Sequence, residues 1–153
     1  MKLSENLSLN EVIKSNIAIR KGIDNNPTQE HLEALEDIAD NIFQPIREHF
    51  KVSIGVTSGY RSRKLNEAVD GSKDSQHSKG EALDLDADMY GKITNKQIFN
   101  FIKDNLVFDQ LIWEFGTDND PNWVHVSFTT RRPNRMIILK AYKSKGKNKY
   151  KTI

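Results

Sequence analysis

The sequence predicts a single α+β domain in which helices pack against a mostly antiparallel sheet. Helical patterns gather early in the chain and strand patterns late, and the connections between them are short. The chain has 153 residues, of which 37% are hydrophobic, enough for one domain with a real core. Together these features favour an α+β fold over a doubly wound parallel one.

The strongest helical pattern runs from His31 to Phe50, where apolar residues recur at three-to-four spacing. Thr28 precedes it as a suitable N-cap, and Pro45 stands where it would kink the helix near its end. Before it, residues 3–19 predict a short extended lead and then a short helix. Two further helices are predicted over Ser62–Val69 and Thr94–Asn105.

Alternation of apolar and polar residues predicts the strands. Glu81–Asp86 puts its leucines on one face and its acids on the other, and Trp123–Thr129 directs its valines inward. The turn-rich residues 116–122 should fold the strand before them antiparallel onto the strand that contains His125. The other strands are predicted over Lys51–Thr57, Val107–Phe115 and Met136–Tyr142.

Charge divides the chain in two. Residues 1–120 carry 14 lysines and arginines against 21 acids, whereas residues 121–153 carry 9 and no acid. We expect one domain over residues 1–142 and a basic C-terminal tail over residues 143–153, which either is simply solvated or binds a polyanion. Nucleic acid is disfavoured as that partner because only Tyr142 and Tyr150 could stack on bases there.

Composition narrows the chemistry. The chain has no cysteine, which excludes a disulfide framework, a thiolate nucleophile and every cysteine-based zinc site. It has 4 histidines, and a transition metal would need them together with carboxylates. No apolar run is long enough to span a membrane, and the start lacks the apolar core of a signal peptide. We therefore expect no membrane partner.

Two of the four histidines are candidate metal ligands. His31 and His49 lie among charged neighbours on the long helix and are expected at its surface. A turn at Gly80 would bring His77 back toward Asp84 on the polar face of its strand, and His125 should point to the same kind of face. Two imidazoles and a carboxylate form an open zinc site. A plain His–Asp hydrogen bond explains the same pattern.

Three blocks of sequence resemble a known family: residues 58–62 (Ser-Gly-Tyr-Arg-Ser), residues 75–84 with His77 and Asp84, and residues 123–127 around His125. The chain resembles the zinc D-alanyl-D-alanine carboxypeptidase and L-alanyl-D-glutamate endopeptidase family, which cleaves peptidoglycan and includes phage endolysins. The resemblance implies a hedgehog/DD-peptidase-like fold over residues 1–142. It also implies Zn²⁺ as cofactor, held by His77, Asp84 and His125.

The same resemblance suggests residues that contact substrate. Arg61 is similar to the family's arginine that faces the substrate, where it would bind a peptide carboxylate or stabilise an oxyanion. A salt bridge within the chain is its structural alternative. Ser75 and Gln76 could donate hydrogen bonds to the substrate or to the metal ligands, or could simply solvate their loop.

The sequence departs from many relatives at the general base. Where those relatives have an acid or a histidine as the base, this chain has Asn122 and Trp123. Glu114 is the preferred base, since a charged residue in an apolar strand needs a reason to be there. Asp120, in the polar loop before His125, is the competing acid.

The resemblance implies zinc-dependent hydrolysis of a peptide bond in peptidoglycan stem peptides, by a carboxypeptidase or an endopeptidase. The alternative is a non-catalytic metal- or wall-binding module, for example of a phage particle. We expect a monomer whose basic tail holds anionic cell-wall polymer. We also expect it to be made in the cytoplasm without a signal peptide, then released by phage lysis or carried in a virion.

Overall fold

A computed structural model describes residues 1–153 as one six-stranded sheet with helices against one face. The strand order is β3-β4-β6-β5-β7-β8, and every neighbouring pair is antiparallel except β5 and β7. This confirms the predicted α+β class. The strands of the sheet are β3 (Gly55–Ser58), β4 (Ala82–Asp86), β5 (Gln110–Glu114), β6 (Trp123–Ser127), β7 (Ile137–Ser144) and β8 (Lys147–Thr152).

The remaining elements are six α-helices and a small two-stranded sheet at the N-terminus. The small sheet pairs β1 (Lys2–Ser4) with β2 (Leu7–Ser8). The helices are α1 (Leu9–Ile13), α2 (Asn16–Lys21), α3 (Gln29–Ile38), α4 (Gln44–Phe50), α5 (Arg63–Ala68) and α6 (Asn95–Asn105). No helix is long and apolar enough to cross a membrane.

The predicted helix over residues 31–50 exists, but a π-helical turn at Ala39–Phe43 divides it into α3 and α4. Pro45 lies in the first turn of α4 and has no amide hydrogen to continue a regular helix. The chain widens by one residue just before it, where the Gln44 amide donates to the Ala39 carbonyl. The widened turn still buries Ile42 and Phe43.

The core lies between the helices and one face of the sheet. Helix α6 covers the centre of the sheet, and Phe99 packs edge-on against Trp113 with ring centroids 5.2 Å apart. The fully buried apolar residues of the sheet's core face include Leu83, Leu85, Leu111, Val124 and Val126. Because side chains alternate along a strand, the other face of the same strands carries the polar residues.

Two predictions need correction: the start of one strand, and the basic C-terminal tail over residues 143–153. Strand β3 begins at Gly55 rather than at Lys51, because Lys51 has a left-handed backbone (φ 56°) and caps the end of α4. The last residues are no free tail: Lys147–Thr152 forms β8, which pairs with β7 along its whole length. A left-handed pair, Lys145 (φ 52°) and Gly146 (φ 76°), makes the hairpin turn.

Ion pairs also connect the acidic part of the chain, residues 1–120, with the basic part, residues 121–153. The Arg131 guanidinium bonds Glu81, while Arg132 and Arg135 both bond Asp109, which is fully buried. Three of the cations that follow residue 120 therefore neutralise buried acids of the body. The unneutralised positive charge is concentrated on the β7–β8 hairpin.

Candidate metal centre

The face of the sheet that carries no core holds the predicted site. Asp84 on β4 lies directly opposite His125 on β6 in the antiparallel register. Their strand neighbours Leu83, Leu85 and Val124 are completely buried in the core, so the carboxylate and the imidazole project from the other face. Directly opposite residues bring their Cβ atoms within roughly 5 Å, which allows the two side chains to meet.

His77 reaches this pair from a 3₁₀ turn, Gln76–Lys79, that precedes β4. Gly80 follows in a left-handed conformation (φ 73°), and a Cβ there would lie 2.5 Å from the His31 carbonyl oxygen. That tight turn allows the chain to reverse into β4 and brings residues 77 and 84 together.

The Ser58-Gly59-Tyr60-Arg61 segment fixes the orientation of His77. The His77 Nδ1 atom lies 2.6 Å from the Gly59 carbonyl oxygen, so Nδ1 carries the hydrogen and Nε2 presents its lone pair to Asp84. The Arg61 amide donates to the His77 carbonyl at 3.1 Å. Gly59 itself is pressed against Val12, where a Cβ would meet the carbonyl oxygen at 2.5 Å.

The three candidate ligands converge on one point. Asp84 Oδ1 lies 3.4 Å from His77 Nε2 and 3.0 Å from His125 Nδ1, and all three donor atoms lie within 4.8 Å of one another. Two ligand atoms of a tetrahedral zinc ion are about 3.3 Å apart. The spacing and the donor types therefore suit zinc, with a coordination position left open.

Electrostatics keep these groups in the forms that bind a metal. Burial lowers the pKa of His77, which favours neutral imidazole over imidazolium. Burial alone would raise the pKa of Asp84, but the adjacent His77 imidazole and a hydrogen bond from His125 lower it well below its usual range. Asp84 is therefore a carboxylate at every ordinary pH. Metal ligation requires this combination of neutral histidine and ionised carboxylate.

Glu114 lies on the same face of the sheet, on β5. It pairs with Trp123, two residues before His125 on β6, and is therefore the diagonal neighbour of that histidine. Only 6% of the residue is exposed, and no cation forms an ion pair with it. Burial raises its pKa to about 7, with the nearby charge of His125 opposing the shift. An unpaired buried carboxyl of this kind is suited to exchange protons near neutral pH.

The competing acid, Asp120, is placed elsewhere. Its carboxylate accepts a hydrogen bond of 2.8 Å from the Lys96 amide in the first turn of α6. Helix α6 packs on the core face of the sheet, opposite the face that carries Glu114. Of the two acids, only Glu114 therefore stands beside the histidine pair.

Arg61 lies beside the candidate metal centre and remains partly unsatisfied. The Nε atom of its guanidinium is buried without a hydrogen-bond partner. Burial lowers its pKa, while the charge of the nearby Asp84 opposes that shift. Arg61 also lines a cleft of about 570 Å³ between β3 and α1. The sequence's structural alternative for Arg61, a salt bridge within the chain, does not form.

Ser75 and Gln76 are both engaged within the chain. The Ser75 hydroxyl accepts from the His77 amide at 3.2 Å, and the Gln76 amide donates to Glu81 at 3.3 Å. Substrate contact through either residue stays a prediction. The remaining histidines are not among the grouped donors: His31 contacts the Tyr60 ring, and His49 stacks on Phe101.

The backbone partner of His77, the Gly59 carbonyl, was not predicted from the sequence. A carbonyl carries no signal in the residue type, so the Gly59 contact was not predictable as chemistry. The signal that could have pointed to it is the glycine before Tyr60 and Arg61, because a glycine permits the close approach that this segment makes.

An α+β domain with two imidazoles, a carboxylate and a buried glutamic acid on one sheet face defines a candidate metal-binding hydrolytic centre. The family model for Peptidase M15 matches residues 5–127, so the chain belongs to this family, which is of the zinc D-alanyl-D-alanine carboxypeptidase type. No curated protein matches the chain significantly. The family match includes Arg61, Glu114 and all three candidate ligands, and it ends before the β7–β8 hairpin.

Proposed function

We propose that this protein is a zinc-dependent peptidase that hydrolyses a peptide bond in peptidoglycan stem peptides. The observation that carries the proposal is the convergence of His77, Asp84 and His125 beside the unpaired, buried carboxyl of Glu114. Membership of the Peptidase M15 family supports peptidase activity independently of that geometry.

Zinc fits the donor set. His77 would bind through Nε2 because its Nδ1 hydrogen is held by the Gly59 carbonyl, and His125 would bind through the Nδ1 atom that faces Asp84. Three protein ligands are typical of catalytic rather than structural zinc sites. When bound there, zinc would supply a Lewis acid that activates water and polarises the scissile carbonyl.

Glu114 would act as the general base. Its carboxylate is available because no cation in the chain neutralises it. It accepts a proton from the attacking water as the carbon–oxygen bond forms. It then returns that proton to the leaving amine as the carbon–nitrogen bond breaks. A carboxyl with a raised pKa can perform both transfers near neutral pH.

Arg61 would stabilise negative charge that develops on the substrate. Its buried Nε donor has no partner in the chain, so an oxyanion or a peptide carboxylate would satisfy a group that is otherwise costly to bury. Because Arg61 follows β3 and Glu114 lies on β5, with β4 and β6 between these strands, Arg61 would meet the substrate across the site from Glu114.

The direct test is hydrolysis of a purified stem peptide ending in D-alanyl-D-alanine, followed by mass spectrometry. The zinc-loaded protein should release a free amine, and a chelator should stop the release. Loss of a terminal D-alanine identifies a carboxypeptidase, and cleavage inside the peptide identifies an endopeptidase. Zinc binding without any cleavage would contradict the proposal and favour the non-catalytic module. Cleavage unaffected by the chelator would contradict the role of zinc.

We also propose that the hairpin holds the enzyme on anionic cell-wall polymer. Lys147, Lys149 and Lys151 alternate along β8 and share the face opposite that of Asn148 and Tyr150. Regularly spaced exposed cations suit a chain of phosphates and bind it in a salt-dependent way. Changing all three lysines to serine should abolish salt-sensitive pull-down by purified wall polymer while leaving cleavage of a soluble stem peptide unchanged. Unchanged pull-down would contradict this role.

A further inference from the structure

The C-terminal hairpin brings a tyrosine onto the face of the sheet that carries the candidate metal centre. In the register of the strands, Trp123 pairs with Glu114, Glu114 pairs with Ala141, and Ala141 pairs with Tyr150. These residues therefore form one row across β6, β5, β7 and β8, and paired residues project from the same face. Tyr150 lies in the same row as the candidate base, two strands away from it.

Only a small side chain separates Glu114 from Tyr150 in this row. Ala141 pairs with both residues, is completely buried, and is the only residue of the row between them. Burial raises the pKa of Tyr150, and the negative charges of Glu114 and Asp84 raise it further. The phenol therefore keeps its hydrogen at neutral pH. A neutral phenol in that place is a hydrogen-bond donor.

The hairpin also forms one side of a cleft. A space of about 630 Å³ opens between the hairpin and the chain that connects β5 to β6, with Trp123, Ala141 and Lys143 among its lining residues. This cleft adjoins the row that contains Glu114, whereas the cleft lined by Arg61 lies on the β3 side of the site. A peptide bound across the metal centre would therefore extend toward the hairpin.

We propose that Tyr150 is a substrate-binding residue of the peptidase, whose hydroxyl donates a hydrogen bond to a carbonyl oxygen of the bound peptide on the hairpin side of Glu114. This inference rests on the proposed function. The tyrosine is 53% exposed, so its hydroxyl is accessible to a ligand. An extended peptide presents carbonyl oxygens at regular intervals, and an exposed phenol in the same row as Glu114 suits them. The residue lies outside the part of the chain that matches the family model.

The hairpin provides a matched control. Tyr142 pairs with Lys149 on the opposite face, and the Lys151 ammonium lies 5.5 Å from the centre of its ring. Tyr142 borders the same cleft, but its side chain projects from the opposite face of the sheet, so Tyr142→Phe removes the same hydroxyl group from the same hairpin on the side away from the acids. Tyr150→Phe keeps the ring over Ala141, so a purely structural role for Tyr150 would leave the kinetics of that variant unchanged.

The test measures kcat and KM on a soluble stem peptide for the zinc-loaded wild type and both variants. Tyr150→Phe should lower kcat/KM roughly tenfold, mainly by raising KM, because one hydrogen bond to substrate is lost. Its zinc content and melting temperature should match those of the wild type, and Tyr142→Phe should behave as wild type in every respect.

Three results would overturn the inference, and they are distinguishable. Equal kinetics for Tyr150→Phe and an active wild type would remove the role of Tyr150 and leave the proposed function intact. A zinc-loaded wild type that cleaves no stem peptide would remove both. If Tyr150→Phe and Tyr142→Phe lose activity equally, the effect belongs to the fold of the hairpin and the inference is wrong.

Discussion

Of two acidic side chains that the protein buries, Asp109 and Glu114, only the first is neutralised by cations. Asp109 is completely buried and accepts hydrogen bonds from the guanidinium groups of both Arg132 and Arg135, which lower its pKa well below the usual range. Glu114 is almost as buried, has no cation paired to it, and its pKa is raised to about 7. A neutralised buried acid stabilises a fold, whereas an unneutralised one is costly and indicates chemistry.

Removing the unneutralised acid should have the largest effect on activity. Glu114→Gln should lower kcat by roughly 10²–10⁴-fold, since the proposed general base is lost while the shape of the side chain is kept. Steady-state hydrolysis of a stem peptide measures it. Asp120→Asn is the matched control and should retain activity, because Asp120 faces α6. Activity lost in Asp120→Asn but kept in Glu114→Gln would reverse the assignment.

Removing the neutralised acid should instead affect stability. Asp109→Asn should lower the free energy of unfolding by about 3–5 kcal/mol, because two guanidinium groups lose the carboxylate that balances them. Denaturant titration followed by circular dichroism measures the loss. A variant as stable as the wild type would show that the two acids do not differ in the way described.

The pH dependence of stability should separate the two acids further. The folded pKa of Glu114 is raised above its unfolded value, so its contribution is fully present below about pH 4.5 and is lost as pH rises toward 7. In metal-free protein, Glu114→Gln should therefore become more stable than the wild type by roughly 3 kcal/mol at pH 8, but not at pH 4. A difference between the two proteins that does not change with pH would contradict the raised pKa.

A smaller effect, on zinc affinity, is expected from changing Gly59, whose backbone carbonyl orients the candidate ligand His77. In Gly59→Ala, the new Cβ would collide with the Val12 carbonyl. The collision would displace residue 59 and its own carbonyl oxygen, which orients His77. Zinc affinity should fall about 10–100-fold, as with other changes to the partners of metal ligands. Competition with a chromogenic chelator measures it. Gly91→Ala is the control: its Cβ would meet no atom within 4 Å, and although the left-handed backbone there (φ 69°) is strained by the substitution, zinc binding should stay as in the wild type.

The sequence predicted the site better than the edges of the fold. Strict alternation in β4 and β6 was enough to place Asp84 and His125 on one face, because a strand has no other way to bury its leucines and valines. The β8 strand was missed, since its alternating residues are lysines and polar groups that carry no hydrophobic signal. The roles of Glu114 and Asp120 also needed the structure, because their separation depends on which face of the sheet each one meets.

Zinc binding by histidine variants tests the central claim most directly. Elemental analysis of zinc-loaded, dialysed protein should find one zinc ion per chain in the wild type. The same amount is expected in His49→Gln, whose histidine stacks on Phe101 away from the site. His77→Gln and His125→Gln should each retain almost none, because each removes one of only three candidate ligands. Full zinc content in either of these two variants would contradict the assignment of the metal centre.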